Sequence, residues 1–367
     1  MKKIFISILA VAAMAACTKS EVAYEAAEEI MFAPVEKNIT KAAIGTVEEE
    51  GTYPIEQRLG VYANYGLLDP NTAVSNDNVA SFGTGFLADA EFSYKTVGSI
   101  SAWGGGYSWP TNGSLIFAGY SLPKTGTVGT SRSYNFATDV LTIDDYTQST
   151  NTAETFDLGW FGRTSNSYNY RNQEDAVDVT LSHALAWIEI KVKGEGTTIA
   201  EGNPWTITSI TMNNVYNKGD VTCVGNGSDK ATWTNLDNTV DSSSKKENSV
   251  VIFLNSTHKL SSDAKVCETN PAGTLVIPQT PTAVDAANPV ATLTVKYTYK
   301  SPTGETMPEQ TSTVSLALKD ASGNAIDGGW KSGYKYTYTL TFKASEILIA
   351  PEYDKWADGG NQIVVVE

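Results

Sequence analysis

Residues 187–193 read Trp-Ile-Glu-Ile-Lys-Val-Lys, and apolar and charged side chains alternate along them from Ile188 to Lys193. Alternation with a period of two places one face of a β-strand in a core and the other face in water. The runs Ala291–Tyr299 and Gly333–Phe342 repeat this pattern between turn residues, and the chain shows no long helical periodicity. The sequence therefore predicts an all-β protein.

The length of the chain and the spacing of its strands predict two domains. The chain has 367 residues, of which 41% are hydrophobic, and this is enough for more than one core. About seven short strands in each half suit a two-sheet sandwich. Residues 151–174 are polar with many aromatics and are predicted as a surface loop, and the glycine-rich run Trp103–Tyr107 is predicted as a turn. The predicted domains are residues 42–176 and residues 177–344.

The charge of the chain argues against nucleic acid as a partner. The formal net charge is −15 at pH 7, whereas binding to a phosphate backbone requires a basic surface. Besides Cys17, the chain contains Cys223 and Cys267, which could pair in an oxidising compartment. Two cysteines do not make a disulfide framework, so the fold must depend on its core.

Residues that commonly carry catalysis are sparse. The two histidines are His183 and His258, and no nucleophile elbow, zinc-binding helix or phosphate-binding loop surrounds them. His183 is predicted to be a packed, structural histidine. The run Asp320–Asp327 echoes a calcium loop but lacks the glycine at the sixth place and the acid at the twelfth. We therefore expect no enzymatic activity, no cofactor and no metal site.

Residues 1–17 have the parts of an export signal. Lys2 and Lys3 give it a charged start, and the apolar middle, Ile4–Ala13, is too short for a bilayer span of ~20 residues. The small residues before Cys17 resemble a bacterial lipobox, so Cys17 is predicted to become the lipidated first residue. An ordinary signal peptide with a chance cysteine is the alternative. If Cys17 is lipidated, any attachment to a membrane depends on its acyl chains.

Residues 18–41 form a polar leader that contains one short apolar segment. Ile30–Val35 is predicted as a strand. Lys41, followed by Ala42, lies in the polar link behind it, which is a suitable site for a trypsin-like protease. Arg58 is the alternative site, although the core-like residues that follow it favour Lys41. A loop that is never cut is the third interpretation.

The last segment, residues 345–367, carries two apolar runs, Ile347–Ala350 and Ile363–Val366. Both are short and rich in branched residues, which indicates strands. Ile363–Val366 is apolar on both faces although it lies at a chain end, where most chains fray. Two interpretations stay open: a last strand within its own domain, or a strand that fills a groove on another molecule.

Aromatic residues in two stretches suggest a different function. Side chains in Trp103–Trp109 and Trp160–Tyr170 could stack on sugars, which would make the protein a surface glycan-binding lipoprotein. Such a protein would stay lipidated and monomeric, with its tail folded on its own domain. Packing of these side chains within loops is the alternative, and we favour it.

A set of motifs in a fixed order resembles the fimbrillin-like family, the lipoprotein-derived (type V) pilins of anaerobic Gram-negative bacteria. Each motif is weak by itself, and the specificity lies in their order along nearly the whole chain. The motifs are the lipobox at Cys17, the strand Ile30–Val35 before a basic site, Asp178–Ala186, Leu275–Gln279, Leu293–Tyr299, Trp330–Tyr336 and Trp356–Gly360.

The resemblance implies two tandem transthyretin-like β-sandwich domains with Greek-key-type topology. It also implies that the precursor is exported as an outer-membrane lipoprotein and that a trypsin-like protease removes the leader with its first strand. The C-terminal strand of the next subunit would fill the gap. On this sequence, the displaced strand would be Ile30, Met31, Phe32 and Val35, the cleavage site Lys41 and Ala42, and the donor Ile347, Leu348, Ile349, Ile363, Val364, Val365 and Val366.

The function implied by the resemblance is that of a structural subunit of a cell-surface fimbria used in adhesion. The implied partners are identical or related pilin subunits, the processing protease and a ligand on a host surface. A fimbrial anchor, which would keep its lipid, or a tip subunit, which would lack a usable donor strand, is the alternative. The long apolar tail favours a stalk subunit, and lysine instead of arginine at position 41 leaves the identity of the protease open.

Overall fold

The computed structural model describes fourteen stretches of the chain, and the predicted all-β class is confirmed in them. Apart from two short 3-10 turns, Val79–Ser81 and Gly196–Ile199, their regular secondary structure is β-strand. The described stretches are residues 29–34, 58–97, 100–149, 156–169, 176–201, 205–225, 230–237, 249–267, 274–281, 291–300, 303–318, 329–343, 347–355 and 364–365.

The described strands form four sheets. In chain order they are β1 (Glu29–Pro34), β2 (Arg58–Gly66), β3 (Thr84–Val97), β4 (Ile100–Ser108), β5 (Ser114–Leu122), β6 (Ser131–Asn135), β7 (Val140–Thr147), β8 (Gly159–Phe161), β9 (Val177–Val179), β10 (Ser182–His183), β11 (Ala186–Gly194), β12 (Thr206–Asn213), β13 (Lys218–Val224), β14 (Lys230–Asp237), β15 (Ser249–Lys259), β16 (Lys265–Val266), β17 (Thr274–Val276), β18 (Thr292–Thr298), β19 (Gln310–Ser315), β20 (Tyr334–Phe342), β21 (Ile347–Lys355) and β22 (Val364–Val365).

The largest sheet curls around a core of its own. Its eight strands follow the order β10-β8-β5-β2-β3-β4-β1-β9. β9 and β10 are the two ends of this order, yet only residues 180 and 181 separate them in the chain. Because so short a segment spans roughly 11 Å at most, the two ends of the sheet must lie close together. The core enclosed by the curled sheet includes Ile30, Phe32, Leu59, Val61, Phe92, Trp103, Phe117, Phe161, Val177 and Leu181.

The outer side of the same sheet forms a sandwich with a second sheet. This second sheet has the strand order β14-β13-β7-β6. Side chains of β2, β5 and β8, such as Tyr120 and Trp160, pack against side chains of β7 and β13, such as Ile143 and Val221. Two layers of β-structure with a buried core between them are the minimal stable arrangement for such sheets.

A second sandwich is built from the C-terminal half of the chain. Its sheets have the orders β16-β11-β20-β21-β22 and β15-β12-β18-β19. Ile188 and Ile190 of β11 face Ile210 of β12 and Val295 of β18 across this core, which Tyr338 of β20 completes. The prediction that the apolar side chains of residues 187–193 face a core is therefore confirmed for Ile188 and Ile190.

The opposite face of β11 differs from the prediction. Trp187 packs in the core of the first sandwich, and Glu189 is 6% exposed although the alternation predicted it to face water. The Nζ of Lys335 donates a 2.7 Å hydrogen bond to Glu189 and also lies 4.1 Å from the centre of the Trp187 ring. β11 thus has neighbours on both faces because it lies between the two sandwiches, which a single-strand pattern does not reveal.

Two predicted irregular regions contain strands. The run Trp103–Tyr107, expected as a turn, lies within β4, where the absence of side chains on the glycines lets neighbouring groups approach the backbone. Residues 151–174, expected as a surface loop, include β8, and Trp160 in β8 is 1% exposed. In both regions the polar and small residues predict irregular structure, whereas pairing with neighbouring strands stabilises a strand.

The strand pairing also runs across the predicted domain boundary. β13 and β14 follow residue 177 in the chain, yet β13 pairs with β7 along Lys218–Val224. β9 and β10, which begin the predicted second domain, belong to the curled sheet of the first half. The division into 42–176 and 177–344 stays a prediction, and the first sandwich draws its strands from both sides of it.

Glu189 should make the stability of the protein depend on acidic pH. Burial acts to raise the pKa of Glu189, but the hydrogen bond and charge of Lys335, with those of Lys191, outweigh it and hold this pKa below the usual 4.5. A lowered pKa stabilises the folded state above pH 4.5, and the stabilisation is lost as the pH falls through the folded-state value. We expect Glu189→Gln to lower the free energy of unfolding by about 1–3 kcal/mol at pH 7 and by much less near pH 3, measured by urea denaturation.

The exposed pair of Lys296 and Glu309, 3.6 Å apart, provides the control. Glu309→Gln should change the free energy of unfolding by about 0.5 kcal/mol or less at either pH. A constant difference between Glu189→Gln and the wild type at pH 7 and pH 3 would contradict this account of Glu189.

Candidate functional site

The candidate site is the place of β1 within the curled sheet. β1 pairs antiparallel with β4, with Phe32 opposite Trp103, and parallel with β9, with Phe32 opposite Val177. β1 is therefore an inner strand with a partner on each side. The backbone donors and acceptors of β4 and β9 along this line therefore depend on a strand between them.

The side chains of β1 alternate between two environments. Ile30 and Phe32 point into the core of the curled sheet and are 0% exposed. The Phe32 ring meets the rings of Phe92 and Phe117 edge-on, at 5.0 and 5.1 Å between centroids, an arrangement that aromatic rings favour. Met31 points to the other side, where it packs with two small residues, Ala102 and Ala176. Ile30, Met31 and Phe32 thus each fill a defined socket.

An ion pair holds the first residue of β1. The Nζ of Lys95 lies 2.5 and 2.7 Å from the two carboxylate oxygens of Glu29, and the N–H of Gly106 donates to the same carboxylate at 2.6 Å. Partial burial acts to raise the pKa of Glu29, but the bonds to Lys95 and Gly106 outweigh it and lower this pKa. A Cβ at Gly104 would lie 2.2 Å from the Lys95 side chain, so glycine there leaves space for the pair.

Several predicted site residues lie outside the described part of the chain. They are Cys17, the predicted lipidation site, Val35, the predicted end of the displaced strand, and Lys41 with Ala42, the predicted cleavage site. Their roles stay predictions. The described chain fixes the two ends of the segment that contains the predicted cleavage site, because β1 ends at Pro34 and β2 begins at Arg58.

Arg58, the alternative cleavage site, is held firmly in the sheet. Its guanidinium donates to the carbonyl oxygens of Pro123 at 3.1 Å and Gly126 at 2.5 Å and pairs with Glu91. Leu59, on the other side of the bond to be cut, is 0% exposed, and the strand that carries both lies between β3 and β5. A protease needs an accessible, extended segment, so this geometry argues against cleavage after Arg58 in the folded chain.

The predicted donor segments lie on their own chain in this structure. Ile347–Lys355 forms β21, which pairs antiparallel with β20 from Phe342↔Ile347 to Tyr334↔Lys355. Ile347 and Ile349 pack on the core of the second sandwich, whereas Leu348 is 42% exposed. The backbone of Val364 and Val365 forms β22 beside β21, and Ile363 and Val366 are outside the described residues.

The aromatic stretches that suggested sugar binding are mainly core. Trp103 is 0% exposed, Trp109 4% and Trp160 1%, so their ring faces are covered. Tyr107, at 37%, is the most exposed aromatic side chain in the described part of these stretches. A stacking platform requires exposed ring faces, and these tryptophans do not provide them.

The two histidines and the candidate metal ligands have the following surroundings within the described residues. The Nδ1 of His183 lies 2.7 Å from a carboxylate oxygen of Asp157, and both side chains are 2% exposed. Burial, with the charge of Lys265, lowers the pKa of His258. No group of His, Cys, Asp and Glu side chains in the described stretches could hold a metal ion, and Asp320–Asp327 lies outside them.

The two described cysteines belong to different cores. Cys223 packs in the first sandwich and Cys267 in the second, and no disulfide joins them. Burial raises the pKa of the Cys223 thiol well above its usual range. Among the described residues, no helix is long and apolar enough to cross a membrane.

Comparison with known proteins identifies relatives at the level of family and fold. Residues 55–356 match the sequence model of the fimbrillin-like family. No curated protein matches the chain.

Two solved structures match most of this chain. A fimbrial protein from Bacteroides vulgatus ATCC 8482 is 16% identical with a TM-score of 0.50, and the match covers 81% of this chain and 92% of that one. A structure described as that of a cell adhesion protein from Bacteroides uniformis ATCC 8492 is 15% identical with a TM-score of 0.44, and the match covers 89% of this chain and 98% of that one.

The socket of Phe32 should contribute strongly to the stability of the uncut chain. Replacing a buried phenylalanine by alanine removes its contacts and leaves a cavity, so we expect Phe32→Ala to lower the free energy of unfolding by about 3–5 kcal/mol. Urea denaturation followed by intrinsic tryptophan fluorescence would measure it. Leu67, which is 77% exposed, is the control: Leu67→Ala should stay within about 0.5 kcal/mol of wild type. A loss below about 1 kcal/mol for Phe32→Ala would show that the β1 site tolerates a vacancy.

Proposed function

This chain belongs to the fimbrillin-like family, and we propose that it is a structural subunit of a cell-surface fimbria that polymerises by protease-triggered strand exchange. The precursor is exported and lipidated at Cys17, and a trypsin-like protease cuts after Lys41. Removal of the leader takes β1 away, and the C-terminal segment of another subunit takes its place. The assembled filament serves adhesion.

The position of β1 is the observation that carries this proposal. β1 is a buried inner strand, yet among the described residues its covalent link to the other strands runs through residues 35–57. While that link is intact, β1 has an effective concentration in the millimolar range or above and outcompetes any strand from solution. Cleavage within the link converts an intramolecular contact into one that another strand can replace.

An empty site would be costly, which provides the driving force for exchange. β4 would lose its partner along Glu29–Phe32 and β9 its partner along Phe32–Pro34. Unpaired backbone groups beside bare core are unfavourable until another strand covers them. The sockets of Ile30 and Phe32 would also expose apolar surface, at about 25 cal/mol for each Å².

The direction of such contacts leads to a filament. The site lies in the curled sheet of the first half, whereas the predicted donor segments follow β20 of the second sandwich. A contact between two different surfaces of identical subunits is head-to-tail and does not close on itself unless the geometry forms a ring. Repetition along one axis therefore yields a polymer of identical or related subunits.

A chain whose C-terminal tail stays paired with its own β20 would behave as an anchor, a tip subunit or a non-polymerising surface lipoprotein. The pairing of β21 with β20 in the same chain is compatible with a precursor before assembly and with these alternatives. The covered faces of Trp103, Trp109 and Trp160 speak against a glycan-binding lipoprotein that uses them. Assembly after cleavage is the property that separates the stalk subunit from all of these.

Limited trypsin treatment should therefore give one early cut and then polymers. We expect intact-mass analysis to find cleavage between residues 35 and 57, chiefly after Lys41, followed by ladders on size-exclusion chromatography. Lys37→Gln combined with Lys41→Gln removes both basic residues between positions 35 and 57 and should slow both steps at least tenfold, because trypsin requires a basic residue before the cut bond. Arg58→Gln, the matched control, should leave the early cut unchanged. Rapid cleavage after Arg58 in folded protein, or a cut chain that stays monomeric, would contradict the proposal.

A further inference from the structure

One segment of the C-terminal tail repeats the sequence of β1. β1 reads Glu29-Ile30-Met31-Phe32-Ala33-Pro34, and the tail reads Glu346-Ile347-Leu348-Ile349-Ala350-Pro351. The two hexapeptides share Glu, Ile, Ala and Pro at matching places, and apolar residues replace each other at the other two. We infer that residues 346–351 are the donor strand and that they occupy the site of β1 in register, with Glu346 at the place of Glu29. This inference rests on the proposed function and specifies which strand enters and how it is aligned.

The burial pattern of the tail matches the sockets of the site. In β1, Ile30 and Phe32 face the core of the curled sheet and Met31 faces the other way. In β21, Ile347 and Ile349 face a core and Leu348 faces outward. Because side chains alternate along a strand, moving the tail into the site by this register sends every core-facing side chain to a core-facing socket.

Leu348 provides a specific gain from the exchange. On its own chain Leu348 is 42% exposed, whereas Met31, whose place it would take, is 7% exposed. The Met31 socket is lined by Ala102 and Ala176, and leucine and methionine have similar volumes, so the substitution fits with little strain. The exchange therefore buries a large apolar side chain that the monomer leaves partly in water.

The proposed register gives definite neighbours. The incoming strand runs antiparallel to β4 and parallel to β9, as β1 does. Since Met31 pairs with Gly104 and Ala33 with Asp178, Leu348 would lie opposite Gly104 and Ala350 opposite Asp178. Glu346 would take over the place of the carboxylate that Lys95 and the N–H of Gly106 bind in the uncut chain.

Ile349 fits its proposed socket less well than the residue it replaces, and this keeps the exchange dependent on cleavage. Ile349 would occupy the socket of Phe32, whose ring packs edge-on against Phe92 and Phe117. Isoleucine is smaller than phenylalanine and leaves part of that socket unfilled. The resident strand is thus the better fit, so the donor displaces it only after cleavage has removed the tether.

The second apolar run of the tail lacks this correspondence. Residues 362–367 read Gln-Ile-Val-Val-Val-Glu, without an acidic residue before the run and without the Ala-Pro pair after it. Nothing in that run would replace the carboxylate of Glu29 beside Lys95. The match therefore distinguishes Ile347–Ala350 from Ile363–Val366 as the strand that enters the site.

Disulfide trapping tests the register directly. Trypsin-cut chains carrying Ala350→Cys are mixed with trypsin-cut chains carrying Asp178→Cys, polymerised, and oxidised mildly. We expect an interchain disulfide in at least tenfold higher yield than with Leu348→Cys, which is two residues out of register, or with Val364→Cys, which probes the second run. Ala33→Cys with Asp178→Cys in the uncut chain is the positive control, because these residues are partners in β1 and β9.

The outcomes separate this inference from the proposed function. Polymers that form with no Ala350–Asp178 cross-link, while the positive control cross-links, would overturn the register and leave strand exchange standing. Wild-type cut chains that form no polymers would overturn both. A second variant, Ile349→Phe, should fill the Phe32 socket and slow subunit dissociation at least tenfold, and unchanged dissociation would contradict the assignment of Ile349 to that socket.

Discussion

The fold depends on β1 being held between β4 and β9 by a covalent tether. The curled sheet closes because β1 bridges β4 to β9, and β9 leads within two residues to β10 at the far end of the same sheet. The core inside the curl includes Phe32, whose ring contacts rings from β3 and β5. A strand that completes both the backbone pairing and the core, yet arrives on a separate segment of chain, makes the integrity of the first half conditional on that segment.

The two halves of the molecule are joined through the segment that follows β9. His183 pairs with Asp157 in a buried contact, Trp187 packs in the first sandwich, and Ile188 packs in the second. β13 and β14 return to pair with β7 and so extend the first sandwich with strands from later in the chain. The curled sheet, which contains β1, and the second sandwich are thus connected by the short, buried stretch of chain from β9 to β11.

Much of the fold could be predicted from the sequence, because most strands either alternate apolar with polar side chains or consist of a short run of branched apolar residues. β11, β18 and β20 follow from their periodicity, and β1 was expected within one residue of its observed start. The prediction was wrong where neighbours decide the outcome. Glu189 was expected to face water but is buried. The glycines of β4 were expected to form a turn, but they lie in a strand beside β1. Parallel pairing of β1 with β9 is non-local, so no local pattern could reveal it.

The candidate site was predicted in part. Ile30, Met31 and Phe32 were named as the displaced strand from the resemblance; the structure places them in a buried inner strand, and their displacement stays a prediction. The ion pair of Glu29 with Lys95 joins residues far apart in the chain, and only the folded sheet brings them together. The likeness of residues 346–351 to β1 was readable in the sequence, but it acquires meaning only once the sockets of β1 are known.

The central claim is that a neighbour's tail replaces β1 in the assembled fimbria. Electron cryo-microscopy of fibres assembled from cut chains tests it most directly, through the density between β4 and β9. The account predicts a strand at that place that connects to β20 of the adjacent subunit, with Glu346 beside Lys95. Density there that belongs to residues 29–34 of the same subunit, in fibres of normal length, would contradict it.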